Sequence, residues 1–205
     1  MTNAKTNKII TIGRQFGSGG HEIGRRIAKR MNIPCYDKEV LMRAAEENNL
    51  DVQALEKLDE KPKRLLYSLL REPYMLPYYS SYEMGTVPNP ITIPFDTLRN
   101  IAQEGPCVII GRCADYVLRD YDCLNLFIYA PLEDRIARKS KLLNISAEEA
   151  ADQIAKTDKL RASYYNFYTQ KKWSDIDSYD YCINSSFLGI EGTVDLLEYI
   201  LSKAE

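Results

Sequence analysis

Apolar positions along the chain change their period from one stretch to the next, and the changes mark out elements. Ile9, Ile10 and Ile12 form a short β-prone run, and Ile23, Ile27 and Met31 then recur every four residues, the spacing of a helix that buries one face. Between them Gly13 to Gly20 holds four glycines in eight residues, so the order is strand, glycine turn, helix. Residues 33–36 read as a short second strand with Pro34 at its edge. Cys107 to Ile110 and Leu124 to Ala130 are continuous apolar runs of the kind found in central parallel strands, and Tyr181 to Asn184 gives a last one.

Helices fill the intervals. One is expected from His21 to about Asn32, one from Lys38 to Asn48 with Asp37 as its cap, and others from Asp51 and from Lys61 to Leu70. Phe95 to Glu104 stops at Gly105-Pro106, and Pro131 opens a helix through Leu143. Ser146 with Glu149 makes a capping box for a long helix to about Tyr168, and Glu191 to Lys203 closes the chain. The proline- and tyrosine-rich stretch 72–94 breaks the pattern and reads as an insertion or lid. Strands alternating with helices predict an α/β fold with a parallel sheet and right-handed crossovers.

With 205 residues the chain has room for one α/β domain with an inserted lid. Its 27 basic and 29 acidic residues give no global field for nucleic acid, so any anion site must be local. No stretch is apolar over the length a bilayer requires, and the N-terminus has no apolar leader; a soluble, cytoplasmic protein with no membrane partner is expected. The five cysteines lack C-x-x-C spacing and read as free thiols, three of them in or beside strands.

The glycine turn carries the chemistry. Glycines let consecutive backbone N–H groups turn inward, and the following helix points its positive end at the same spot, which together make a phosphate cradle from Gly17, Ser18, Gly19, Gly20, His21 and Glu22. Against G-x-x-x-x-G-K-[ST], Arg14 stands at the opening glycine, Gly20 at the lysine, and His21 and Glu22 where a hydroxyl residue would meet magnesium. A charge about 4 Å from a phosphate oxygen is worth on the order of a few kcal/mol at intermediate dielectric, so something must replace the lysine or turnover must suffer. Arg14, in the same turn, is the candidate; a salt bridge to a nearby carboxylate is its alternative role. His21 reads as a neutral donor to phosphate or as a solvent-facing residue. Ligands of a parallel sheet bind beyond the carboxyl ends of its strands, and arginines recur there, at Arg14, Arg43, Arg112, Arg135 and Arg138.

These stretches resemble the cytidylate kinase-like family of P-loop nucleoside monophosphate kinases. ITIGRQFGSGG resembles its opening motif, and PCYDKEVLMR the segment that carries an aspartate and a phosphate-binding arginine, which puts Asp37 and Arg43 on the acceptor side. VIIGRCADYVL resembles the segment that binds the acceptor nucleotide, landing on Arg112, with Cys113 where the family has aspartate. LFIYAPLEDRIARK and TDKLRASYY resemble the way into the lid and its return helix, so Arg135, Arg138, Lys159 and Arg161 match the arginines that reach the moving phosphoryl group. CINSSFLGIEGTVDLL resembles the closing strand and helix.

The resemblance implies a three-layer α/β/α P-loop kinase-like domain spanning the whole chain, with a five-stranded parallel sheet, an acceptor-side insertion at 36–94 and a lid at 138–161. It implies a phosphotransferase that moves the γ-phosphoryl of ATP, with Mg2+, to a nucleoside monophosphate or similar small acceptor, in a chain that is monomeric or homodimeric. No protein-held metal site is assigned. The alternatives are a non-catalytic nucleotide or phosphate binder that lost the lysine, and a partner-binding face on the tyrosine-rich insertion with a vestigial nucleotide site.

Overall fold

The computed structural model describes residues 7–48 and 93–203. The helices expected from Asp51 and Lys61, and almost all of the stretch 72–94, lie outside them. The chain divides into two compact units, with the boundaries after Asp37 and after Asn100.

The larger unit is built on a parallel sheet of five strands in the order β2-β3-β1-β4-β5, comprising β1 (Ile9–Arg14), β2 (Cys35–Tyr36), β3 (Val108–Ile110), β4 (Cys123–Tyr129) and β5 (Tyr181–Asn184). The sequence pattern therefore located every strand, with ends shifted by up to two residues. Alternation along β1 and β4 sorts side chains between the two faces. Ile10, Ile12, Leu124, Leu126 and Ile128 turn to one face, where they pack with Ile23, Ile27, Ala28 and Met31 of α1 (Gly20–Met31) and with Val194, Leu197 and Leu201 of the C-terminal helix. Thr11 and Phe127 turn the other way. Thr11 Oγ1 donates to Asn125 Oδ1 at 2.7 Å, and the Phe127 ring packs on Trp173 at 5.5 Å and Tyr179 at 5.0 Å. An α/β architecture of this kind places the carboxyl ends of its strands along one edge, where ligands bind.

In the smaller unit, α2 (Glu39–Glu47) buries Val40, Leu41, Ala44 and Ala45, and Leu41, Ala44 and Ala45 cluster with Ile93. The N-cap of α2 is Lys38, with no side-chain cap bond, so Asp37 does not cap this helix as the sequence reading expected. The Asp37 carboxylate is held elsewhere, by Arg14. The next helix, α3 (Ile93–Glu104), starts two residues earlier than its expected start at Phe95.

The remaining elements belong to the larger unit: α4 (Ala114–Val117), α5 (Leu132–Leu143), α6 (Ala147–Thr169) and α7 (Ser185–Leu201). Pro131 is the N-cap of α5, one position outside the helix. Ser146 and Glu149 form the expected capping box at α6, with both reciprocal bonds present. The last helix begins at Ser185 instead of Glu191, with a break at Gly189, whose φ of 69° separates a first turn from the amphipathic run that the sequence showed. None of the five cysteines is in a disulfide among the described residues. Burial pushes the Cys107 thiol up to about 12 and Cys123 to about 11, which keeps both unreactive.

Candidate functional site: an anion loop between two charge clusters

The loop between β1 and α1 uses its own polar groups sparingly. Gln15 N–H donates to Ile128 O at 3.0 Å, Ser18 N–H to Gln15 O at 3.3 Å, and the first helical bond is Ile23 N–H to Gly19 O at 2.9 Å. Among the described residues, the N–H groups of Gly17, Gly19, His21 and Glu22 have no protein acceptor. Gly17 and Gly19 sit at φ 85° and 83°, left-handed conformations that glycine adopts readily, in the turn that leads into the N-terminus of α1. The loop is pinned from outside by Ser185, whose buried hydroxyl is 2.6 Å from Ser18 O and 3.2 Å from Tyr129 O. Beside it lies a cavity of about 400 Å³ walled by Gly17, Ala130, Arg138, Leu142 and Ser186.

On one side of the loop, helices α5 and α6 bring cations to Phe16. Arg135 is 8% exposed and donates from Nη1 to Asp158 Oδ2 at 2.6 Å and to Phe16 O at 3.3 Å. Asp158 Oδ1 in turn accepts from Phe16 N–H at 2.7 Å, so a single carboxylate fixes both the arginine and the loop. Arg161 Nη1 donates to Arg14 O at 3.0 Å, and its guanidinium lies 5.6 Å from the centre of the Phe16 ring. Burial disfavours its charge, which Asp158 and Asp37 partly restore. Lys139 Nζ is 3.9 Å from the same ring centre. Burial first, and then Arg161 and Arg138, push the Lys139 ammonium below the usual lysine range. Arg138 Nη1 is 3.7 Å from Glu22 Oε2, and a Cβ added at Gly19 would stand 3.3 Å from it. Lys159, on the same helix as Asp158, is exposed.

On the other side, Asp37 is the centre. Arg14 Nη2 donates to its Oδ1 at 3.5 Å, His21 Nε2 is 3.5 Å from Oδ2, and Arg112 Nε donates to the Asp37 carbonyl at 3.1 Å. Gly111, Arg112 and Cys113 form a run of left-handed residues at φ 82°, 56° and 53°, a backbone costing on the order of 1 kcal/mol or more at each non-glycine position. The Arg14 guanidinium packs against Gly111, in the space that a Cβ there would take. The stem of Arg14 also explains Gly20. A Cβ at position 20 would come within 2.6 Å of Arg14 Cβ, so a side chain starting from the lysine position of the loop and the Arg14 side chain compete for one space.

The structure thus gathers Gly17, Ser18, Gly19, Gly20, His21 and Glu22 in one turn, Arg135, Arg138 and Arg161 on its one flank, and Arg14, Asp37 and Arg112 on the other. Arg43 belongs to the smaller unit, where Nε donates to Glu47 Oε1 at 2.7 Å. Phe16, Lys139, Asp158 and Ser185 did not stand out in the sequence. Asp158 and Lys139 could have been found by helical spacing, Asp158 three positions before Arg161 and Lys139 four after Arg135. Phe16 and Ser185 carry no such signal. Magnesium that travels with a triphosphate needs only one or two protein carboxylates. Three carboxylates stand at the loop, Asp158 on Arg135 and the Phe16 N–H, and Glu22 and Asp37 each beside an arginine, and among the described residues no group of three ligating side chains is assembled.

A parallel five-stranded sheet with a glycine loop at the carboxyl end of β1 defines an α/β protein of the P-loop kinase type. Solved structures agree on the fold: an uncharacterized protein from Eubacterium ventriosum superposes with a TM-score of 0.68 at 25% identity, covering 95% of this chain and 98% of that one. Shikimate kinase from Bacteroides thetaiotaomicron superposes at 0.53 with 16% identity, covering 95% and 98%. Residues 9–187 match the cytidylate kinase-like family, and the chain belongs to it. Curated relatives include the cytidylate kinase of Methanopyrus kandleri, 24% identical over 200 residues, 93% of this chain and 91% of the relative. That of Pyrococcus horikoshii is 24% identical over 196 residues, covering 95% and 88%.

Proposed function

We propose that this protein transfers the γ-phosphoryl group of ATP to a nucleoside monophosphate or a similar small acceptor. The observation that carries the reading is a turn whose amides lack protein acceptors, to which Arg135 and Arg161 bond through Phe16 O and Arg14 O and beside which Arg138 stands at Gly19. Phosphoryl transfer asks little covalent chemistry of a protein; it asks for positioning and for positive charge where negative charge spreads. In this reading the amides of Gly17 to Glu22 hold the donor phosphates, and the cavity walled by Gly17, Arg138 and Ser186 takes the nucleoside. Arg135, Arg138, Lys159 and Arg161 face the moving group. Asp37 and Arg112 hold the acceptor, and the Arg14 guanidinium reaches Asp37 from the start of the loop. Glu22 and Asp37 are the carboxylates that would hold Mg2+, which supplies further neutralisation of the phosphates. Cytoplasmic residence among soluble nucleotides fits this reading, and among the described residues no helix is long and apolar enough to cross a membrane.

Titration calorimetry with ATP and with each nucleoside monophosphate, followed by a coupled assay of turnover, tests the proposal. Binding of ATP and of one monophosphate with phosphoryl transfer between them is the expected result; no heat with any triphosphate at millimolar concentration ends it. A second reading, a nucleotide binder without turnover, is favoured by Gly20 at the lysine position and by His21 and Glu22 at the hydroxyl positions. Turnover above background that is abolished in Arg14→Ala excludes it.

A further inference from the structure

The loop lacks its lysine, and the structure explains why one cannot be restored from position 20. Arg14 occupies that space and sends its guanidinium to Asp37 and Gly111. On the opposite side Arg135 and Arg161 are bonded to loop carbonyls, and Lys139 stands beside them on the Phe16 ring. We propose that Lys139, docked on the face of the Phe16 ring, supplies the positive charge that position 20 lacks and engages the terminal phosphate of a nucleoside triphosphate. This rests on the phosphotransferase reading above and names the residue that completes its donor site.

Several independent observations converge on Lys139. Its ammonium stands 3.9 Å from the centre of the Phe16 ring, well inside cation–π range, and Phe16 is itself part of the loop. The backbone that carries the ring is held at both its polar groups, because Phe16 N–H donates to Asp158 and Phe16 O accepts from Arg135. Arg135 pairs with Asp158, and Arg138 with Glu22, whereas among the described residues no carboxylate lies within ion-pair distance of Lys139. Its charged neighbours are Arg161 and Arg138, and both oppose its charge, as does burial. A partly buried ammonium among arginines, with only a ring face for company, gains more than any of its neighbours when a polyanion arrives. Lysine is also the residue that meets phosphate as a mobile point charge, in contrast to the fixed fork of arginine. Lys139 leaves one turn of α5 after Arg135, so the helix that carries the fixed arginine carries the mobile cation on the same face.

The test compares ATP with ADP, because the contact is to the terminal phosphate. Calorimetric titration of the full chain is run on the wild type, Lys139→Met, Lys139→Arg, Phe16→Leu and Phe16→Tyr, with circular dichroism reporting the fold of each. Lys139→Met is expected to weaken ATP by roughly tenfold or more, the scale of one charge about 4 Å from a phosphate oxygen. ADP should weaken by much less, and Lys139→Arg should recover most of the loss. Phe16→Leu should shift ATP in the same direction and Phe16→Tyr should return it. In the wild type alone, amine-directed labelling of Lys139, read by peptide mass, should slow with saturating ATP and hardly change with ADP. Wild-type ATP binding with an unchanged ATP-to-ADP ratio in Lys139→Met, or with labelling of Lys139 indifferent to ATP, overturns this assignment and leaves the phosphotransferase reading standing. Absence of ATP binding by the wild type removes both.

Discussion

At Phe16, Arg135, Lys139 and Arg161 gather around a stretch of loop that meets them with a ring face and two carbonyls, and Asp158 is the half-buried carboxylate among them. At Asp37, on the other flank of the same loop, the order is reversed: a carboxylate sits at the centre, with Arg14 and His21 turned toward it and Arg112 on its carbonyl. The first cluster carries uncompensated charge and is ready for an anion. The second is closed on itself, and a phosphate reaching it must take the place of Asp37 in front of Arg14. One loop therefore presents a flank preorganised for an anion and a flank that an anion enters only by exchange, the division that the proposed transfer between a polyanion and a ligand of fewer charges would use.

The Phe16 side depends most on Asp158, and this is where substitution costs most. Asp158→Ala leaves Arg135 buried without its carboxylate and Phe16 N–H without an acceptor, a loss of about 3 kcal/mol or more of unfolding free energy in urea denaturation. A loss below about 1 kcal/mol would mean that the cluster is held by packing and that the contrast between the two flanks is not electrostatic.

Arg14 and Gly20 sharpen the comparison next, since they decide on which flank the loop's own cation lies. Gly20→Lys in the presence of Arg14 forces two side chains into one space and should cost about 1–3 kcal/mol. In an Arg14→Gly background, which removes the Arg14 Cβ that would stand 2.6 Å from the new one, the same change should cost less, a coupling that a double-mutant cycle of denaturation midpoints reads directly. Additive effects would show that Arg14 does not fill the lysine's place. The pinning of the loop gives a smaller effect. Ser185→Ala removes the hydroxyl between Ser18 O and Tyr129 O and should cost about 1 kcal/mol, with faster amide exchange at Ser18 and Gly19 but not in β1.

Periodicity made the sheet legible because each strand is either a continuous apolar run or is bounded by glycine and proline, and the glycine turn announced the anion loop for the same local reason. What it could not show is which long-range partner a polar side chain selects. Asp37 has the local signature of an N-cap, three residues before the apolar face of α2, yet Arg14, 23 positions earlier, holds its carboxylate. Phe16 has no sequence feature that separates it from a core residue; its role comes from Lys139 and Arg161, which reach it from two different helices. The capping box at Ser146 shows the converse, since both of its bonds span three residues and sequence spacing alone specifies it.

The smallest effect concerns the bridge between the flanks. Asp115, just past the Arg112 turn, accepts from Tyr165 Oη at 2.6 Å, and Tyr165 lies on the helix that carries Asp158 and Arg161. Burial raises the Asp115 carboxyl above its usual range, against the pull of the Tyr165 hydrogen bond. A carboxyl raised in the folded state contributes stability that is complete below its unfolded pKa, about 3.9, and is lost as pH rises through the folded value. Asn at this position keeps an oxygen for the Tyr165 hydroxyl and cannot ionise. The unfolding free energy of Asp115→Asn should therefore gain on that of the wild type as pH is raised from 4 to 8, and a gap that stays constant or narrows with pH would show that the bridge is carried by the ionised carboxylate without penalty.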